Sequence, residues 1–354
     1  MSDFLTRIGT YLRQAISPQA CTIDRDSQSL HKALLQMGER SLLALRVPQH
    51  LGGMGLSETS FRRFQMLMAR YSGALTFLQT QHQSAAMRLA KSQNQVVQQQ
   101  YLSDMATGKI LIGVGYSHLR RVGKPMVTAT ETAAGYLLNG KVPWITGYGC
   151  FDLFIIGGVL ADGRELYGIV PFVNLQQETG GKLTFSQPMQ LIAATATNTV
   201  SAELNNWLMK RERLVTINPP GSIHLSSRQN ILNHGFYALG CAYAGLDLLK
   251  RIGERKQLDF ISETWQTLSE RVAECDRGLF AAISDKDITY SEKLQLRIQA
   301  IALASRCSHA AVIAAGGAAN YLDSDVGRVY REALLFSVSG QTKDVMEASL
   351  KNII

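Results

Sequence analysis

Hydrophobic residues recur with a helical period in the first and last thirds of the chain, and with a shorter period between them. In the first third, Leu5, Ile8 and Leu12 share one helical face. From residue 111 to about 215 the pattern alternates and turn residues are frequent, which predicts strands. From about 222 onward three long apolar stripes return with alternating spacings of three and four residues. Such stripes predict antiparallel helices that pack as a bundle.

These changes of period predict an α+β chain with three domains. We expect an N-terminal helical domain over residues 1–110 and a middle antiparallel β-barrel-like domain over 111–218. A C-terminal four-helix bundle is expected over 219–354. A β-domain inserted between two helical regions is an uncommon order, and it therefore narrows the choice of fold.

Three local signals predict turns and helix starts. Asn139-Gly140 lies between two apolar runs and predicts a hairpin turn. Ser226 and Gln229 have the spacing of a capping box, so a helix is expected to begin there. On that helix, Asn230 and His234 would lie one turn apart on the same face, where they either line a pocket or form a satisfied polar pair.

Composition restricts the class of protein without naming a function. The 354 residues carry a formal net charge of +8, which suggests an anionic partner. The cations form small scattered groups, so a phosphate-bearing cofactor is favoured over nucleic acid. The five cysteines include no CxxC pair and no metal-site spacing, which predicts reduced thiols in the cytoplasm and no metal. We expect no membrane span, because the apolar run near residues 298–319 is interrupted by polar residues.

Several segments together resemble the acyl-CoA dehydrogenases, in the order in which that family has them. The stretch GYLLNGKVPWITG at 135–147 resembles the strand pair of the family, and PQHLGGMG at 48–55 resembles one of its loops. YLSDMATG at 101–108, Glu254-Arg255 with Gln266, and the Gly316-Gly317 pair also match, and a segment from Arg331 to Thr342 follows. The resemblance covers essentially the whole chain.

This resemblance implies FAD as the cofactor and a homodimer or homotetramer as the assembly. Trp144 and Thr146 would line the flavin ring, because a flavin needs an apolar face and a few fixed donors. Arg255 would bind the FAD pyrophosphate of a neighbouring subunit, and Gln266 would lie near the adenosine. Thr342 would lie near the FAD at the C-terminal loop. Each has a structural alternative: a core tryptophan, solvated surface residues at 255 and 266, and a helix cap at 342.

The sequence departs from the family at the positions of the catalytic base. The usual glutamate aligns with Gly340, and the alternative position on the first bundle helix falls on Asn230. Neither can accept a proton at pH 7. Asp344 or Glu347 could replace them only if the C-terminal turn were shifted. Other family contacts are replaced by Arg121, Leu258 and Ile313.

Several further residues have open roles. His82 aligns with a position that faces the flavin in relatives and is a weak catalytic candidate, against a structural histidine. His118 and Arg121, together with the adjacent Arg120, could bind an anionic substrate or a phosphate group, or form a surface cation cluster.

The resemblance favours an FAD-dependent oxidoreductase of CH-CH donors that acts on an acyl-CoA, an acyl thioester or another hydrophobic substrate. Electron-transfer flavoprotein is the corresponding partner. The alternatives are a flavin monooxygenase or oxidase on the same fold, a degenerate protein, and a nucleic-acid binder.

Overall fold

A computed structural model describes residues 2–353, so the outer ends of the first and last predicted domains, Met1 and Ile354, lie outside the described residues. The described chain has a helical part, a sheet and a second helical part, as the fold prediction required. The N-terminal helices are α1 Ser2–Tyr11, α2 Ala20–Arg25, α3 Ser27–Glu39, α4 Glu58–Tyr71, α5 Gly73–Ala90 and α6 Gln95–Thr107.

Local chemistry sets the limits of these helices. Ser57 caps α4 by accepting a hydrogen bond from the backbone N–H of Ser60, and Asn94 caps α6 in the same way through Val96. Gly108, in a left-handed conformation, ends α6. The sheet starts soon afterwards.

Nine strands form one mixed sheet. They are β1 Ile112–Gly115, β2 Val127–Thr132, β3 Gly135–Ile145, β4 Leu153–Val159, β5 Glu165–Pro171, β6 Leu175–Gln176, β7 Lys182–Phe185, β8 Val200–Lys210 and β9 Leu214–Asn218. The strand order is β6-β7-β8-β3-β2-β4-β5-β9, with β1 beside β4. Because β1 and β2 pair with β4 in parallel, the prediction of a purely antiparallel sheet was wrong.

The predicted hairpin turn at Asn139-Gly140 was also wrong. Both residues lie inside β3, and the turn that joins β2 to β3 precedes Gly135. Gly140 instead marks an irregularity in the pairing with β8, where its φ of 128° brings the backbone against the carbonyl of Met126. The side chain of Asn139 accepts a hydrogen bond from the backbone N–H of Asn206 at 2.7 Å. Asn139 and Gly140 therefore lie at a bulge within the strand and not in a turn.

The C-terminal helices are α7 Ser222–Gln229, α8 Asn233–Lys256, α9 Asp259–Ser284, α10 Tyr290–Ala315, α11 Asp325–Val338 and α12 Lys343–Lys351. Helices α8 to α11 form the bundle. A capping box between Thr289 and Glu292 starts α10. Gly235 lies against Arg297, and Gly245 lies against Cys307. Since both numbers advance by ten, α8 and α10 run parallel and in step.

One segment of the bundle resembles a membrane span in composition. Residues Tyr290–Asn320 are long and apolar enough to cross a bilayer, and an 18-residue window within them has a mean hydropathy of 1.3. The polar residues in this run predicted no such segment. In this fold the segment is α10 with the turn after it. Its residues Ile298, Ala304 and Cys307 are buried in the bundle core, as in the central helix of a bundle.

The predicted domain boundaries coincide with changes in element type. Helix α6 ends at Thr107 before β1, and β9 ends at Asn218 before α7. Whether the three parts are independent domains remains a prediction.

Candidate functional site

Arg297 joins the two chain segments that carry the aligned positions of the catalytic base. Its guanidinium donates hydrogen bonds to the carbonyl of Ile231 at 3.3 Å, of Ser339 at 2.8 Å and of Gly340 at 3.1 Å. Ile231 lies in the connection from α7 to α8, and the other two carbonyls lie in the turn from α11 to α12. Both segments therefore meet at one end of the bundle.

Neither segment brings a carboxylate to Arg297. Asn230 is exposed, and its side-chain amide donates to the carbonyl of Ser226 at 2.8 Å. Asp344 accepts hydrogen bonds from the hydroxyl of Tyr290 and from Arg228, and Glu347 pairs with Lys351. Within residues 2–353, Arg297 has no carboxylate partner, although it is only 2% exposed. A buried cation thus lies beside the two positions to which the resemblance assigns the base.

Asn230 and His234 do not share a helix, contrary to the sequence-based expectation. The helix that contains Ser226 begins at Ser222 and ends at Gln229, so Ser226 is an interior residue and not a cap. Asn230 forms the end of α7, and α8 begins at Asn233. The three-residue turn at 230–232 interrupts the helix, so the two residues do not lie on one helical face.

His234, in the first turn of α8, occupies the space beside Gly340. Its Nδ1 lies 2.9 Å from the hydroxyl of Ser339, and its ring would overlap any side chain at position 340. Gly340 also has a φ of 59°, which favours glycine. Burial lowers the pKa of His234 well below its usual range, and the charges of Arg297, Arg120 and Arg62 lower it further. The imidazole is therefore neutral at pH 7.

The other predicted histidines have structural contacts. His82 is fully buried in α5, where Nε2 lies 3.0 Å from the carbonyl of Met105 and Nδ1 accepts the backbone N–H of Ile112. Both ring nitrogens are thus engaged, and burial lowers its pKa to about 4. His118 is buried after β1, with Nε2 3.1 Å from the carbonyl of Gly157. Arg121 is exposed, so the two residues face different surroundings, and their role toward a substrate stays a prediction.

Trp144 and Thr146 lie together at the end of β3. The pairing of β3 with β8 shifts between Val142 and Ile145, which turns Trp144 outward and leaves it 48% exposed. The hydroxyl of Thr146 is buried and lies 3.2 Å from that of Thr199. The site therefore offers an exposed aromatic ring beside a hydroxyl pair.

Arg255 and Gln266 lie at the opposite end of the bundle, around the turn from α8 to α9. A cavity of about 320 Å³ lies at this turn, with Gly253, Trp265 and Gln266 in its lining. In the described part of the chain, the guanidinium of Arg255 has no carboxylate partner. Helix α8 places Arg255 about 32 Å from His234, at a rise of 1.5 Å per residue. One chain therefore does not bring these two groups together.

Thr342 begins α12. Its side-chain hydroxyl accepts the backbone N–H of Val345 at 3.3 Å, which is the contact of a helix cap. Contact with a cofactor remains a prediction for this residue.

Comparisons with known proteins agree with this arrangement. The family model "Acyl-CoA dehydrogenase, N-terminal domain" matches residues 2–109. An acyl-CoA dehydrogenase of Bacillus subtilis is 23% identical over 67% of this chain, and the match spans 64% of that protein. The subunit CarC of the caffeyl-CoA reductase-Etf complex of Acetobacterium woodii is 22% identical, over 94% of this chain and 92% of that protein.

A solved structure agrees over almost the full length. A glutaryl-CoA dehydrogenase from Mycobacterium smegmatis, in complex with FADH2, superposes with a TM-score of 0.83 at 14% identity. The match covers 99% of this chain and 93% of that chain. The helical, sheet and helical order thus defines an acyl-CoA dehydrogenase fold. By this fold and by the match at residues 2–109, the chain is similar to the acyl-CoA dehydrogenases.

The side chains present are compatible with FAD. The half-exposed aromatic ring of Trp144 suits a flavin ring, and the Thr146–Thr199 hydroxyl pair supplies polar contacts. The uncompensated guanidinium of Arg255 suits a pyrophosphate. The contact of Arg255 with the FAD of a neighbouring chain, which the resemblance implies, stays a prediction.

Sequence reasoning missed Arg297 as a member of the site. Arg297 follows Leu294 by three residues, so a charged residue lies on the core-facing side of an apolar helix. This was the available signal. Sequence reasoning named Arg120 only within the cation group at 118–121, because its contact with α7 is made only in the folded chain.

Proposed function

We propose that this protein is an FAD-dependent oxidoreductase that acts on an acyl-CoA or a related acyl thioester. The observation that carries the proposal is the exposed Trp144 ring beside the Thr146 hydroxyl, in a chain similar to this family. FAD, when bound, supplies the acceptor for a hydride. Trp144 holds one face of the ring, and Thr146 donates or accepts a hydrogen bond at its polar edge.

A second copy of the chain completes the cofactor site in this proposal. The far end of the bundle exposes large apolar side chains: Leu258, Phe260, Ile313, Tyr321 and Leu322. Helix α11 adds a stripe at Tyr330, Leu334 and Val338, with exposures of 46%, 51% and 52%. Apolar patches of this kind favour association. Sedimentation of the purified protein as a homodimer or homotetramer supports this part, and a monomer at micromolar concentration contradicts it.

The electron acceptor and the compartment are also proposals. One relative carries Etf in its name, as a subunit of a caffeyl-CoA reductase-Etf complex. An electron-transfer flavoprotein is therefore the first acceptor to test with this chain. The cysteines of the described chain are all free thiols, which accords with the cytoplasm.

A second function is favoured by the charge at the base positions. Removal of an α-proton from a thioester needs a base, and Gly340 and Asn230 offer none. The buried guanidinium of Arg297 and the neutral His234 lie there instead. Positive charge stabilises anions that form when oxygen accepts electrons. A flavin-dependent monooxygenase or oxidase is thus the alternative on the same fold.

Anaerobic mixing of the FAD-loaded protein with acyl-CoAs of increasing chain length separates the two functions. Bleaching of the flavin absorbance by one of these thioesters supports the dehydrogenase. If no acyl-CoA bleaches the flavin, the dehydrogenase is ruled out for that panel. Rapid reoxidation of chemically reduced protein by oxygen, with product formation, then supports the alternative.

A further inference from the structure

Arg120 approaches the base positions from the sheet side. It lies in the turn that follows β1, and its Nε donates a hydrogen bond to the hydroxyl of Ser227 in α7 at 3.0 Å. Ser227 in turn donates to the carbonyl of Ile223 at 2.8 Å, which fixes the hydroxyl. The two terminal nitrogens of Arg120 have no carboxylate partner among residues 2–353. Four N–H groups of this partly buried guanidinium are therefore available.

His234 and Arg297 lie close enough to Arg120 for their charges to interact. Arg120 lowers the pKa of His234, and it lowers that of Arg297, which burial brings to about 10. The Nε of Arg297 is buried without a hydrogen-bond partner, and the Nε2 of His234 makes no hydrogen bond within the described chain. The side chains of Arg120, His234 and Arg297 thus lie in one region, and some of their nitrogen atoms make no hydrogen bond within the described chain.

The carboxylates nearest to this region are engaged elsewhere. Glu58 pairs with Arg46 and Arg62, so that the charge of Arg62 is offset. Glu165 accepts the hydroxyl of Tyr167 and the backbone N–H of Ile223. Asp344 accepts hydrogen bonds from Tyr290 and Arg228. Two guanidinium charges, those of Arg120 and Arg297, therefore remain without a counter-charge.

Uncompensated buried cations are costly, and a bound anion would remove that cost. We propose that Arg120, with His234 and Arg297 behind it, binds an oxyanion group of the substrate, a carboxylate or a phosphate. This inference rests on the proposed function, because it assigns the oxyanion to the substrate of the same site. It adds the requirement that the substrate carry a negatively charged group, which the fold alone does not impose.

Binding of free oxyanions to the purified FAD-loaded protein tests the subsite. Succinate, inorganic phosphate and neutral succinamide are titrated by calorimetry against the wild type, Arg120→Gln and Lys124→Gln. Lys124 is an exposed cation of the same loop and controls for surface charge. We expect Arg120→Gln to weaken oxyanion binding about tenfold or more, and Lys124→Gln to leave it unchanged. Arg120→Lys, which keeps the charge without the fork, replaces the glutamine variant if that variant does not fold.

An NMR titration gives a readout that surface binding would not change. A bound anion offsets the nearby guanidinium charges, so the pKa of His234 rises when succinate or phosphate is present. The stronger of the two probes identifies the source, an acyl-chain carboxylate or a phosphate of the thioester. Succinamide that binds as well as succinate overturns the proposal, as does equal weakening by both variants or an unmoved His234.

Failure of the proposed function is distinguishable from failure of the subsite. A protein that binds no FAD but still binds succinate through Arg120 refutes the flavin function and leaves the subsite. A flavoprotein that binds neither oxyanion refutes the subsite alone.

Discussion

The two ends of α8 differ in how completely the chain satisfies them. At the N-terminal end, His234 is packed against Gly340 and bonded to Ser339, while Arg297 ties the adjacent turns together. At the C-terminal end, Arg255 has no carboxylate partner among residues 2–353 and apolar side chains are exposed. The first end is closed by its own chain, and the second is open.

The open end retains the family's residue types, and the closed end does not. Arg255 and Gln266 match the family pattern in the sequence, whereas the motif alignment predicts a glycine and an asparagine at the positions of the acid. In evolutionary terms a cofactor can be kept while the chemistry beside it changes. Whether the chain binds a flavin and whether it catalyses the usual reaction are therefore separate questions.

The substitution Gly340→Glu should cause the largest loss of stability at the closed end. A side chain there overlaps the His234 ring and adopts a left-handed backbone, so we expect a loss of about 3 kcal/mol or more in unfolding free energy. Urea unfolding measures the loss. Gly317→Ala, at a site with open space around it, should change stability by less than about 0.5 kcal/mol. A Gly340→Glu protein as stable as the wild type would show that the end is not closed.

Acid should destabilise the buried parts of the chain. His82 has its pKa lowered from 6.5 to about 4 by burial, so the unfolded state takes up the proton first as the pH falls. Stability is complete above pH 6.5 and decreases toward pH 4, by about 3 kcal/mol for this residue. Urea unfolding at pH 7 and pH 4.5 should show a shallower pH dependence for His82→Gln. The exposed His224→Gln should keep the wild-type slope, and equal slopes for all three proteins would refute the assignment.

Arg255→Gln tests the open end. Loss of a charge-assisted contact with a pyrophosphate should weaken FAD binding about tenfold to a hundredfold, without a change in unfolding free energy of the FAD-free protein. Fluorescence titration with FAD measures the affinity. Lys256→Gln serves as the matched control, because it removes a neighbouring exposed cation. Equal effects of the two variants would mean that Arg255 contributes only surface charge.

Thr342→Ala gives the smallest expected effect. Removal of the cap of α12 should cost about 1 kcal/mol in unfolding free energy and leave the affinity for FAD unchanged. Thermal unfolding and FAD titration are measured on the same preparation. A lower FAD affinity with unchanged stability would instead support the cofactor contact that the family pattern implies.

The fold could be predicted from the sequence because its periodicity is long and consistent. The helices α8, α9 and α10 each extend over more than twenty residues, so local irregularities did not obscure their apolar stripes. The hairpin at Asn139-Gly140 was mispredicted because a dipeptide that suits a turn also suits a bulge within a strand. Here the partner strand β8 decided the outcome.

The candidate site was less accessible from the sequence. Motif order singled out Trp144 and Arg255 and aligned the usual base with Gly340, and these assignments stay predictions. The contacts of Arg297 and Arg120 connect residues that are more than forty positions apart, so no local pattern predicts them. The position of His234 depends on a helix break at 230–232. The S-x-x-Q spacing predicted one continuous helix there instead.

The central claim is that the chain retains FAD in a site that Arg255 helps to build. Its most direct test is the FAD content of the purified protein after saturation with FAD and removal of unbound cofactor. The account predicts one FAD per chain in the wild type and a clear loss in Arg255→Gln. A wild-type protein that holds no FAD under these conditions would contradict it.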